Sequence, residues 1–170
     1  MLCPVCRHDN FEGEDTCENC GADLRTADIP QPATEYHGRI LGEHLEALDH
    51  EPAVVEPGTS VAAAIRRMHA DGLDCLLVCE GDRLVGIFTD RDAVAKVAGK
   101  RLDSFDVRDF MTPDPVVLRA DDTLAVAIHK MAVGGFRHIP IIDGDRPVGV
   151  VAAPDVFRRI ALAAGRPGPV

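Results

Sequence analysis

Tryptophan is absent from these 170 residues, tyrosine occurs once, at Tyr36, and phenylalanine six times. A core without large rings must be closed by aliphatic side chains. No apolar run approaches the roughly 20 residues that a membrane-spanning helix needs, so no membrane partner is expected. Positive charge is also scarce. Lys and Arg number 18 against 28 Asp and Glu, a formal net charge of −10. That balance argues against nucleic acid as a partner. The sequence shows no Walker-type phosphate loop, no open metal-ligand set and no nucleophile beside a base, so it does not read as an enzyme. Met1-Leu2-Cys3-Pro4 carries no basic region ahead of an apolar one, which predicts a cytoplasmic chain without a secretory leader.

What the chain does contain is a repeat. Sliding the sequence by 63 positions aligns residues 50–95 on 113–158 without a gap. Matches include Pro52/Pro115, Ala64/Ala127, Met68/Met131, Gly72/Gly135, Gly81/Gly144, Gly86/Gly149 and Asp92/Asp155. Identities at glycines, turn residues and apolar positions together indicate one structural unit used twice. Each copy opens on a short apolar piece, Ala53–Val55 or Val116–Leu118. A helix follows, with Ser60 or Thr123 as its N-cap and Gly72 or Gly134-Gly135 past its end. Two strands come next, in the first copy Asp74–Cys79 and Arg83–Phe88. They are joined by Glu80-Gly81-Asp82, or in the second copy by Asp143-Gly144-Asp145. A last helix starts near Arg91 and stops at Gly99. The order is β-α-β-β-α. A unit of about fifty residues buries little core alone, so the copies should pack together, with their two strand-to-helix junctions around a shared cleft.

This pattern resembles the cystathionine-β-synthase (CBS) domain, present as a tandem pair over roughly residues 45–162. The resemblance is carried by Gly86-Ile87-Phe88-Thr89-Asp90-Arg91-Asp92, Phe110-Met111-Thr112-Pro113-Asp114-Pro115-Val116 and Arg137-His138-Ile139-Pro140-Ile141. It implies an α/β fold of two β-α-β-β-α repeats packed as a pseudo-twofold pair. It also implies a regulatory module whose cleft binds an adenosyl ligand such as AMP, ADP, ATP or S-adenosylmethionine. Such pairs can associate with a second copy, so a homodimer is one expected partner.

Ahead of the repeats, Cys3-Pro4-Val5-Cys6 and Cys17-Glu18-Asn19-Cys20 form two C-x2-C pairs. Two such knuckles supply four thiolates, the ligand set of a closed structural zinc site. Cys3 to Leu24 resembles a short zinc ribbon, with Arg7 where glycine is usual. Residues 1–24 hold one basic residue, Arg7, against six acidic ones, which turns the ribbon from nucleic acid towards protein contact or a structural role. His8 reads as an exposed polar residue rather than a ligand. Cys75 and Cys79 sit at i and i+4 on one strand face, about 13 Å apart, and read as core.

The candidate ligand residues are Thr89, Asp92, Asp155, Arg137 and His138. Thr-x-x-Asp at a strand-to-helix junction is also a capping box, and that reading stands beside the other. The CBS resemblance assigns ribose to Asp92 and ribose or phosphate to Thr89, with Asp155 the same at a second junction where Ala152 lacks the hydroxyl. Arg137 and His138 replace Asp74 and Cys75 of the first copy and could point at ligand phosphates. Asp90 and Arg91 read as solvent-facing. The organisation expected is a zinc ribbon over 1–24, a flexible linker over 25–39, and a lead-in with the first repeat over 40–107. The second repeat takes 108–163 and a frayed tail 164–170. An alternative function is a scaffold that dimerises without a ligand and docks a protein partner through the ribbon.

Overall fold

The computed structural model describes residues 1–11, 13–25, 42, 44–45, 52–97 and 102–164, with side chains to 161. The expected linker beyond Arg25, most of residues 40–48 of the lead-in and the tail after Ala164 lie outside the described residues.

The first repeat comprises β1 (Val54–Val55), α1 (Val61–Asp71), β2 (Cys75–Glu80), β3 (Arg83–Thr89) and a single turn, α2 (Asp90–Asp92). Ser60 caps α1 by accepting from the Ala63 N–H at 3.2 Å. Gly72 ends it at φ 65°, its N–H bonded to the Met68 carbonyl. That left-handed position favours glycine. β1 runs parallel to β2, and β3 returns antiparallel. The strand β4 (Thr112–Pro113) then pairs with β3. Gly86 permits this close approach, because a Cβ there would stand 2.4 Å from the Met111 sulfur and 3.1 Å from the Thr112 carbonyl oxygen. From Cys75 to Cys79 β2 is apolar because both of its faces are covered, and only the closing Glu80 is exposed. Leu76 and Val78 pack with Val61, Ala64, Met68 and Phe88, and Leu77 and Cys79 pack with Ile87 and Val150.

The second repeat has the same elements: β5 (Leu118–Arg119), α3 (Leu124–Gly134), β6 (His138–Asp143), β7 (Arg146–Ala152) and α4 (Ala153–Ala164). Equivalent bonds recur at the 63-residue offset. Val55 pairs with Val78 as Leu118 pairs with Ile141. Gly72 bonds Met68 as Gly135 bonds Met131. The Asp90 N–H meets the Asp74 carbonyl as the Ala153 N–H meets that of Arg137.

The copies diverge after the junction. The expected helix from Arg91 to Gly99 is only α2 running into a π turn, Ala93–Val97, and residues 98–101 are not described. The wider turn puts Val97 in the core at 1% exposure, whereas its counterpart Ile160, on the regular helix α4, is 43% exposed.

The lead-ins are exchanged. Val107, from the segment that leads into the second repeat, donates its N–H to the Thr59 carbonyl at 2.9 Å, beside the start of α1. Leu45, from the segment that leads into the first, donates to the Asp122 carbonyl at 3.1 Å, beside the start of α3. Asp106 bridges Ser60, and His44 bridges Thr123. Val107 and Leu45 are each fully buried. The chain accordingly divides into two compact units, residues 1–48, 120–139 and 151–170 in one, 49–119 and 140–150 in the other.

The ribbon belongs to the first of these units and is seated on α3. Asp15 Oδ1 lies 2.7 Å from the ammonium of Lys130, whose side chain is only 6% exposed. Arg25 reaches Asp122, itself buried, at 3.1 Å while holding Asp23 at 2.8 Å. A free tether would leave the ribbon independent of the repeats; the structure instead couples it to the second one. Removing one member of a buried ion pair strands the other, at a cost of about 3–5 kcal/mol. Asp15 is partly exposed, which places Asp15→Asn near the lower end, about 3 kcal/mol. Lys130→Met should cost less, since the carboxylate left behind can rehydrate, and the double variant should recover most of the Asp15→Asn loss. Denaturant unfolding of the three variants measures this; equal losses in both single variants would contradict it.

Candidate functional site

The two cysteine knuckles fold identically, fourteen residues apart. Cys3 N–H meets the His8 carbonyl and Arg7 N–H meets that of Cys3, as Cys17 meets Ala22 and Gly21 meets Cys17, all at 2.8–2.9 Å. Leu2 bridges Asp9 as Thr16 bridges Asp23. The turn needs a left-handed residue after its second cysteine. Gly21 supplies it at φ 68°, and Arg7 is driven to φ 60° in the same role. Asn10, only 5% exposed, ties the knuckles together: its side-chain NH2 donates to the His8 carbonyl, and its oxygen accepts the Glu18 N–H, each at 3.0 Å. His8 itself is exposed.

This geometry brings the Cys3, Cys6, Cys17 and Cys20 sulfurs within 4.8 Å of one another. Cys3 and Cys20 are 3.7 Å apart, and Cys6 and Cys17 3.6 Å. A tetrahedron with ~2.3 Å zinc–sulfur bonds has edges of ~3.8 Å, close to these two distances, and the four sulfurs form a compact cluster that could hold one ion. The thiols are unequal. Hydrogen bonds from the Asn19 side chain and the His8 backbone lower Cys6 to about 6. At Cys20 a backbone bond from Ala22 lowers the pKa, but Cys6, burial, Cys17 and Cys3 outweigh it and push the thiol up to about 12. One sulfur releases its proton readily and another resists, because crowded thiolates repel one another.

At the first junction Thr89 and Asp92 form a complete capping box. Asp92 Oδ2 accepts from the Thr89 N–H at 2.9 Å and from the Thr89 hydroxyl at 2.8 Å. Its Oδ1 lies 2.6 Å from the Lys96 ammonium, which also donates to the Phe110 carbonyl at 2.9 Å. Asp92 is only 6% exposed, Asp90 is half-buried and Arg91 exposed. At the second junction Asp155 Oδ1 accepts from Arg158 at 3.0 Å. Arg137 is exposed with its carbonyl on the Ala153 N–H, and His138 is half-buried at the start of β6. The first unit thus holds Asp155, Arg137 and His138, and the second holds Thr89 and Asp92.

Three features escape sequence reasoning. Lys96 looks like an ordinary solvated lysine, and only the turn geometry reveals its hold on Asp92. Asn10 carries no motif. A cavity of about 540 Å³ is lined by Pro52, Val54, Cys79, Asp82, Arg146 and Pro147 among others. It adjoins the β2–β3 turn, and Thr89 lies at the far end of β3, about 20 Å away along the strand. Cys75 and Cys79 behave as core residues. Burial, with Asp74 and Asp90, pushes Cys75 up to about 12, and burial likewise raises Cys79. Both thiols stay protonated and unreactive at neutral pH.

Arg7 generates a prediction. An L-residue in the left-handed region costs about 1–2 kcal/mol, partly offset by the greater unfolded-state freedom of glycine. Arg7→Gly should therefore stabilise the ribbon by about 1 kcal/mol, read as a higher denaturation midpoint of the full chain. A lower midpoint would show that Arg7 contributes through its side chain.

The CBS domain family model matches residues 45–99 and 107–162. CBS domain-containing protein CBSCBSPB5 of Arabidopsis thaliana is 35% identical over 100 residues, 57% of this chain and 18% of that protein. The chain therefore spans about a fifth of that curated relative's length. A CBS-domain containing protein from Agrobacterium tumefaciens superposes with a TM-score of 0.61 at 28% identity, over 67% of this chain and 93% of that one. CBSX2, solved in complex with AMP, superposes with a TM-score of 0.62 at 26% identity, over 74% of this chain and 100% of that one. Both repeats are matched, over more than half of the sequence, and the chain belongs to the CBS domain family as a tandem pair.

Proposed function

We propose that the CBS pair is a regulatory sensor of an adenosyl ligand (AMP, ADP, ATP or S-adenosylmethionine), with its two strand-to-helix junctions as the candidate binding elements. The likeness to CBSX2, which was solved with AMP and is covered over its whole length, carries this reading. Asp92 and Asp155 keep the carboxylate at both junctions; each would hold a ribose diol, with Thr89 assisting at the first and Arg137 and His138 offering positive charge to phosphate. The pair acts without catalysing a reaction, in the cytoplasm, and a second copy is its natural oligomeric partner. One observation favours the scaffold alternative: both Asp92 oxygens are already bonded within the chain.

The two readings forecast different results for Asp92→Ala. A ribose carboxylate contributes charged hydrogen bonds of about 1.5–3 kcal/mol, so affinity should fall roughly 10- to 150-fold, tenfold for each 1.4 kcal/mol. A capping residue alone would lower stability by about 0.5–2 kcal/mol and leave affinity unchanged. Calorimetric titration of wild type and variant with AMP decides. No binding of any adenosyl compound to the wild type would hand the case to the scaffold.

The N-terminal segment is proposed as a zinc ribbon that serves as a structural or a protein-contact module rather than a nucleic-acid one. Cys3, Cys6, Cys17 and Cys20 would hold the ion, which supplies a crosslink and no open position for substrate. About one equivalent of zinc per chain should survive dialysis, and Cys17→Ser should abolish it. Because the ribbon sits on α3, that variant should also lower the stability of the second repeat, visible as faster amide exchange in residues 124–134. Unchanged exchange there would show that the seat forms without the metal.

A further inference from the structure

The bonds around Asp92 are of two kinds. Those to Thr89 are local and close the turn. The bond from Oδ1 to Lys96 is different, because Lys96 is 43% exposed while the Asp92 side chain is only 8% exposed. A ligand approaching from solvent can displace the lysine and cannot readily displace Thr89. A ribose hydroxyl that donates to Oδ1 therefore competes with an ammonium 2.6 Å from it. The displaced group remains tethered four residues away. It still carries a full charge and three donors, and it keeps the Phe110 carbonyl within reach. What it loses is a counter-ion.

We propose that Lys96 sets the charge of the ligand accepted at the Asp92 junction: an adenosine bearing an anionic group on its 5′ carbon, that is, a nucleoside phosphate, and not a 5′ sulfonium such as S-adenosylmethionine. This rests on the reading that Asp92 holds ribose. A phosphate replaces the counter-ion that Lys96 gives up, so the exchange conserves charge pairing. Neutral adenosine breaks the ion pair and restores nothing. A sulfonium breaks it and adds a second positive charge beside the first, and the methionyl carboxylate further along the same group is offset by its own ammonium. In the structure this lysine covers the carboxylate, and Asp92 is buried with both oxygens bonded. The second junction is built differently. There Asp155 is held by Arg158 at i+3, on a regular helix, and the position equivalent to Lys96 is Arg159.

Calorimetric titration of the full chain with AMP, adenosine and S-adenosylmethionine tests this, using wild type, Lys96→Met and Lys96→Arg, with thermal melts to establish that each variant is folded. The wild type should prefer AMP over adenosine at least tenfold, with S-adenosylmethionine weakest. Lys96→Met should weaken AMP about tenfold, the lower end for a charged hydrogen bond, and should tighten adenosine, because the competitor is gone. Lys96→Arg should keep the preference for AMP. A lower melting temperature in Lys96→Met with an unchanged AMP-to-adenosine ratio would reduce Lys96 to a structural ion pair. A wild type that prefers S-adenosylmethionine would also overturn the proposal while leaving the adenosyl reading intact. A wild type that binds none of the three ends both.

Discussion

Two backbone hydrogen bonds, from Leu45 to Asp122 and from Val107 to Thr59, tie each repeat to a segment from outside it. Each seats the lead-in of one repeat beside the helix start of the other. The first strand of each repeat is only two residues long, too short to organise a stable sheet edge alone. Burying Leu45 and Val107 supplies apolar area that a fifty-residue unit lacks. The exchange also closes the start of α1, where the Val61 N–H finds the Phe105 carbonyl at 3.0 Å. Neither repeat is complete without a segment that lies before or after it in the chain.

The ion pairs of the ribbon seat end beside the start or on the body of α3. Lys130 occupies the repeat position of Arg67, which in the first copy is far more exposed and pairs with Asp71 one turn away. One structural position is thus a solvated surface in one copy and a covered one in the other. The difference lies in what the chain places on top of it. At this position the two copies are made unequal by what covers the side chain.

Much of this was legible in the sequence, and the reason is that the signals were local. Ser60, Gly72, Gly81 and Gly135 act on their immediate neighbours, so caps and turns could be read one residue at a time. The 63-residue offset then made each reading support the other. Thr89 and Asp92 were legible as a pair, although the sequence left capping and ligand binding side by side and the structure shows the capping bonds formed. What stayed hidden was non-local or geometric. Nothing near Lys130 announces that Asp15, more than a hundred positions earlier, will cover it. The π turn at Ala93–Val97 has no sequence signature, and it is what turns Val97 into the core. Arg7 in the left-handed region was foreshadowed only by the absence of a glycine.

The seat on α3 also constrains how such a chain can change over evolutionary time. A relative that lost the ribbon by recombination would inherit a cation at position 130 and a carboxylate at position 122 with their covers removed. It would need compensating substitutions there, towards solvated or smaller side chains. One that gained a ribbon would need the reverse. Positions 15 and 130, and 25 and 122, should therefore change together across lineages, and their joint state should mark which tandem pairs carry a docked N-terminal module.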